Sequence, residues 1–149
     1  MTNKQILVLN KLVEIAQGVS GVTFAGLYPD AIGSVGQRFP AVIVKDGNET
    51  EATYQTGRAC DYTYQPELYI HHEITNFATR IADILALQNA ILTAIIGDLS
   101  LAGLVDNIVG HEVIKGDSQN SLIDTESGYQ GEMTVHIIRL NMIINDTRS

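Results

Sequence analysis

The stretch YTYQPELYIHHEITNF, Tyr62–Phe77, poses the question on which the fold turns. Two adjacent imidazoles, His71 and His72, stand beside the carboxylate of Glu73, a combination that suits a metal centre. The same residues also alternate. Tyr62, Tyr64, Leu68, Ile70 and His72 fall on one side of an extended chain; Thr63, Tyr69, His71 and Glu73 fall on the other. Under that pattern the two histidines point to opposite faces and do not easily share an ion. HHEIT also differs from the helical HExxH arrangement, which sets both histidines on one helix face. The alternation predicts a strand over 61–73, with Pro66 marking an edge position or a bulge. His72 should pack near a helix, and His71 with Tyr69 should face solvent or another subunit.

A helix is expected directly after this strand, over 76–96, with Asn76 as cap and Gly97 as stop. Its apolar stripe is Phe77, Ile81, Ile84, Leu85, Gln88, Leu92 and Ile95. Near the start of the chain, Thr2 and Gln5 fit a capping box. Ile6, Leu9, Leu12, Val13 and Ala16 form one face of a first helix, and Gly18 stops it. Val22–Pro29 suits a short strand and Asp30–Arg38 a loop. The apolar run Ala41–Lys45 suits a strand buried on both faces. Asp46-Gly47 is a hairpin signal. The polar stretch Asn48–Asp61 fits either a long hairpin arm or an irregular excursion.

Further on, Asp98–Asn107 suits a short helix or turn and Ile108–Lys115 a strand. Gly116–Gly131 is a polar loop, and EMTVHIIRLNMIIND is a long strand. In that strand Met133, Val135 and Ile137 share one face, and Ile138, Leu140, Met142 and Ile144 the other. The switch at Ile137-Ile138 implies a bulge, or a strand with different coverings at its two ends. The predicted class is α+β: a mainly antiparallel sheet with a long helix packed on one face and an N-terminal helix. One domain over 1–149 is expected, with extended loops at about 46–61 and 116–131.

Composition agrees with a globular chain. Its 149 residues are 45% hydrophobic and 17% charged, enough for one core. A net charge of −8 argues against gripping nucleic acid through phosphate neutralisation. The acids cluster: residues 46–73 and 98–132 hold most of them, against only Arg58 and Lys115. Cys60 is the single cysteine and fits a reducing compartment. With no signal-peptide pattern and no apolar run of membrane-spanning length, a soluble intracellular protein is expected.

No residue set specifies catalysis. Cys60 has only Arg58 as an electropositive neighbour. There is no GxSxG elbow, and GSVGQR lacks the Lys-Ser/Thr ending of a phosphate loop. The expectation is no enzyme and no cofactor. The alternative from a different class is a small metal-dependent enzyme using His72, His111 or His136. The final strand, at about 14 residues, spans roughly 45 Å, more than a domain of this size is expected to cover. Part of it is therefore expected to pair with another subunit. The interface candidates are Tyr54, Arg58, Tyr69, His71, Ile123 and Tyr129.

The order of elements resembles the tail-terminator and tail-completion proteins of long-tailed bacteriophages. The resembling pieces are the N-terminal helix, RFPAVIVKDG, YQPELYIHHE, NFATRIADILALQNAILTAIIGDLSLAGLVDNI and the last long strand. The resemblance implies a small α+β domain that forms a homo-oligomeric ring, a hexamer, in the virion tail. The ring caps the tail tube, ends its polymerisation and joins a head-completion or neck protein; assembly takes place in the host cytoplasm. A neck or head–tail connector protein is the nearest alternative. DNA would pass through the ring without specific binding. Glu49, Glu51, Asp117, Asp124 and Glu126 are then candidates for an acidic lumen that repels DNA phosphates.

Overall fold

The computed structural model describes residues 4–31, 38–54, 59–73, 79–117 and 133–147. Among these residues two helices, α1 (Lys4–Gly18) and α2 (Arg80–Ile96), accompany five strands: β1 (Phe24–Leu27), β2 (Ala41–Tyr54), β3 (Ala59–Glu73), β4 (Asn107–Asp117) and β5 (Met133–Thr147). They form one sheet in the order β1-β2-β3-β5-β4. The short β1 runs parallel to β2, and the remaining pairs are antiparallel. The α+β class is therefore as the sequence predicts.

Both helices cover the same face. α1 lies over β1 and β2, and α2 reaches β5 and touches α1. Beneath them Val42, Val44, Tyr62, Tyr64, Leu68, Ile70, Ile138, Leu140, Met142 and Ile144 meet Val8, Leu9, Leu12, Ile84, Ile91 and Ile95. Removing each large side chain from water contributes about 1.5–3 kcal/mol. Ala41–Val44 is fully buried on both faces, because a second cluster of Ala31, Ala41, Ile43 and Val135 packs on the far side under Phe24, Tyr28, Phe39, Tyr69 and Ile137.

Both helical stripes are rotated from the expected ones. Ile6 is 49% and Ile81 65% exposed, whereas Val8, Leu87 and Ile91 are buried. The buried rows 8-9-12-16 and 84-87-88-91-95 keep helical spacing, so the displacement is a choice between neighbouring apolar positions. Thr79 precedes α2, and its hydroxyl donates to Asp83 at 3.0 Å; the expected caps Thr2 and Asn76 lie outside the described residues. Gly97 follows α2 but stays right-handed, and the chain continues through turns with Leu101, Ala102 and Gly103 at positive φ. The Asp98 carboxylate holds these turns, accepting from the Ser100 and Ala102 amides at 3.1 and 2.6 Å and from the Ser100 hydroxyl at 2.8 Å. Those hydrogen bonds, the Ser100 one foremost, lower its pKa.

Asp46-Gly47 is not a hairpin turn. β2 runs straight through to Tyr54, with one extra residue between Lys45↔Glu67 and Asn48↔Gln65. The bulge lies opposite Pro66, which has no amide hydrogen for the ladder. A second extra residue lies between Thr50↔Thr63 and Thr53↔Asp61. Most of the region expected as a loop at 46–61 is thus a strand-paired arm, and Cys60 belongs to β3. Of 116–131, residues 116 and 117 end β4, and the rest lies outside the described residues.

The last strand corrects another expectation. β5 pairs with β3 along its whole length, Met133↔Glu73 to Thr147↔Ala59, and with β4 from Thr134 to Ile143. No part of it needs another subunit for pairing. Its register runs unbroken through Ile137-Ile138. The switch in apolar pattern there reflects two coverings, the helices on one face and the second cluster on the other.

Candidate functional site

The four histidines occupy unlike places. His71 is 0% exposed, at the centre of the second cluster, registered between Ala41 and Val135. This corrects its expected position on a solvent or subunit surface: it shares Tyr69's face, but the segment around Phe24, Tyr28 and Phe39 covers that end of the sheet. Its ring stacks on Tyr69 at 6.4 Å, and neither nitrogen has a hydrogen-bond partner among the described residues. Burial pushes its pKa down to about 4, against a smaller pull from the Tyr69 backbone that falls short of a hydrogen bond. His72 is half-buried on the helix side and lines a hollow with Pro40, Asp83 and Leu87, beside α2 as expected.

His111 is exposed on β4. His136 is buried under α2, with Nδ1 2.7 Å from Oε1 of Gln88. Burial, then the charge of Lys115, lowers its pKa. The pair pins β5 to α2, with Nδ1 donating to the amide oxygen. Gln88→Leu leaves that donor buried without a partner, and we expect a loss of about 1–3 kcal/mol by urea denaturation. Among the described residues, no three of His, Cys, Asp and Glu come together to hold a metal ion.

Among the described residues, the sheet's other face beyond the second cluster is mainly polar and partly exposed. Its main feature is a rung of four charges across four strands. Lys45 of β2 registers with Glu67 of β3, Glu67 with Arg139 of β5, and Arg139 with Glu112 of β4. Arg139 donates Nε and Nη2 to one Glu67 oxygen at 3.1 and 2.9 Å, and Nη1 to Glu112 at 3.4 Å. Its pKa is raised, chiefly by the Glu67 hydrogen bond. The Lys45 ammonium lies 5.0 Å above the Tyr28 ring and 6.0 Å from that of Tyr69. The Tyr69 hydroxyl donates to Glu67 at 3.4 Å.

The rung joins the two long edges of the sheet. β4 has no strand on its outer side among the described residues. It carries Val109, 50% exposed at a bulge, and Ile114, 37% exposed. On the opposite side β1 covers only Ala41–Val44, so the outer edge of β2 is bare from Lys45 onward among the described residues. Long uncovered edges are templates for further strand pairing.

Of the sequence-derived interface residues, Tyr69 is half-buried beside the rung, and Tyr54 ends β2. Arg58, Ile123 and Tyr129 lie outside the described residues. Of the lumen candidates, Glu49 is exposed on the helix side and accepts from Gln5 Nε2 at 3.1 Å. Glu51 belongs to β2 and Asp117 ends β4; Asp124 and Glu126 lie outside the described residues. The rung itself was missed in the sequence, because its four residues come from four strands whose register the sequence does not display. No described helix is long and apolar enough to cross a membrane. Comparison of the chain with protein-family models and with curated proteins finds no match in either.

Proposed function

We propose that this chain is a structural protein that self-associates into a ring at the end of a bacteriophage tail tube, stopping tube growth and offering the surface that receives the head. The observation that carries self-association is the pair of unlike edges without a strand neighbour among the described residues, β4 and the outer half of β2, on opposite sides of one sheet. A contact between two different surfaces of the same chain repeats head to tail, and it closes into a ring when the rotation allows. The tail assignment rests on the resemblance in element order: a first helix, a strand through RFPAVIVKDG, the YQPELYIHHE strand, a helix and a long last strand. Acids such as Glu49 would then serve to keep passing DNA from adhering.

Sedimentation over a range of concentrations, with electron microscopy of the protein alone and mixed with tail tubes, tests this. The expected result is a concentration-dependent ring seated on tube ends. A chain that stays monomeric at every concentration, or rings that ignore tubes, would defeat the self-association or the tail assignment respectively.

A further inference from the structure

We infer that β1 with Tyr28 is an acid-released cover over His71: in mildly acid solution it leaves β2 while β2, β3, β5 and β4 stay paired, and Ala41–Val44 is bared along its outer edge and on the face opposite the helices.

The surroundings of His71 supply the reason. The imidazole is fully buried, and neither nitrogen has a hydrogen-bond partner among the described residues. A neutral ring is tolerated there, whereas an imidazolium would be a buried charge without a counter-ion. The segment before β2 contributes Tyr28 and the Arg38 guanidinium, which lies 4.5 Å above the Phe24 ring. β2 contributes Lys45, its ammonium above Tyr28 and 6.0 Å from the Tyr69 ring. β3 contributes Tyr69, stacked on the imidazole, and beyond it Glu67, whose carboxylate is held by Arg139 of β5. The β5 residues of this cluster, Val135 and Ile137, are apolar. Among the described side chains, a proton on His71 thus meets two cations and one carboxylate that is already paired.

The shortest way to water is through β1. That strand is four residues long, and β2 is its one strand neighbour among the described residues. Beyond the ladder it is tied by Tyr28 N donating to Val44 O at 2.9 Å, Thr23 N to Pro40 O at 2.8 Å and Ala25 N to Gln17 Oε1 at 2.9 Å. The cluster beneath it buries Ala31, Ala41, Ile43 and Val135, far fewer side chains than the core under the helices. β3, by contrast, is paired along its whole length with β5. A segment with few buried contacts opens at a lower free energy than the whole chain unfolds. Once hydrated, His71 titrates as an ordinary histidine, so the open state takes up one more proton than the closed one. Each pH unit below the ordinary 6.5 then favours opening about tenfold, until the folded value of about 4 is reached.

Hydrogen exchange in the full chain, read at the amides of residues 24–28 from pH 7.5 to 4.5 and corrected for intrinsic rates, tests this. At pH 7.5 these amides are expected to be at least about tenfold less protected than those of β3 and β5. Their protection is expected to fall about tenfold per pH unit below the ordinary histidine value. His71→Leu should keep β1 protected and abolish the fall; His71→Met takes its place if that variant does not fold. Glu73, two residues further along β3, is the control for a neighbouring acid, and Glu73→Gln should retain the fall. Amides of β1 protected as well as those of β3 and β5 would overturn the cover. So would protection that ignores pH, a fall that persists without His71, or one that disappears in Glu73→Gln.

Discussion

Gly47→Ala is expected to destabilise the chain by about 3 kcal/mol, as for a severe overpacking of a core position. A Cβ built at Gly47 would lie 1.7 Å from the carbonyl oxygen of Gln65, 2.6 Å from its carbon and 3.1 Å from the Pro66 Cα. All three atoms are backbone of β3, which is fixed between β2 and β5, so no rotamer change relieves the clash. The damage should spread to the bulge itself. There the Asp46 carboxylate accepts from the Gly47 amide at 3.0 Å and from the hydroxyl of buried Tyr64. Gly110 supplies the control, since a Cβ there meets nothing within 4 Å; Gly110→Ala should change stability by less than about 0.5 kcal/mol. Paired urea titrations of the two variants check this, and equal midpoints would refute the bulge geometry.

The second large effect is a pH dependence centred on His71. Its folded pKa of about 4 lies below the ordinary 6.5, so the unfolded chain binds the proton more readily. The stability it contributes as a neutral ring is fully present above about pH 6.5. It falls as the pH drops through the window between the two values, and is gone below about 4. Across that window the loss amounts to roughly 3 kcal/mol. His71→Leu fills a similar space without a titrating group. The variant should be at least as stable as wild type at pH 7.5, because two unpartnered nitrogens leave the core. It should also gain on wild type steadily down to pH 4.5. Urea midpoints at several pH values measure the gap between the two proteins. A constant gap would mean that His71 does not titrate on unfolding.

Several features of the fold were legible because single residues have strong local requirements. The apolar run at 41–45 suggested a doubly covered strand, which the structure shows over 41–44, and Pro66 suggested an edge position or a bulge, of which the structure shows a bulge in the facing strand. The alternation around His71 and His72 assigned the two rings to opposite faces. Other features depended on partners distant in sequence. Asp46-Gly47 suits a tight turn and a bulge alike; only the Pro66 opposite, which cannot donate to the ladder, favours the bulge. His71 was placed on the correct face, but its burial depends on Phe24, Tyr28 and Phe39 folding over it. The length of β5 suggested pairing with a second chain until β3 proved equally long. Ile6 and Ile81 satisfy helical spacing as well as Val8 and Ile91 do, and only the position of the sheet decides between them. The charged rung needed three registers at once.

The position of β5 has a consequence for the order of events during synthesis. It is the last of the described strands, yet it lies between β3 and β4. While a ribosome is still extending the chain, β4 has emerged but its one described neighbour in the sheet has not. The edge that carries Glu112 is therefore built only when β5 inserts, and contacts between such distant segments form slowly. Nascent or truncated chains would lack a finished β4 edge, and so would have no means of adding to a growing assembly. In the self-association proposed above, the placement of the strand would admit only chains that have been made through to β5.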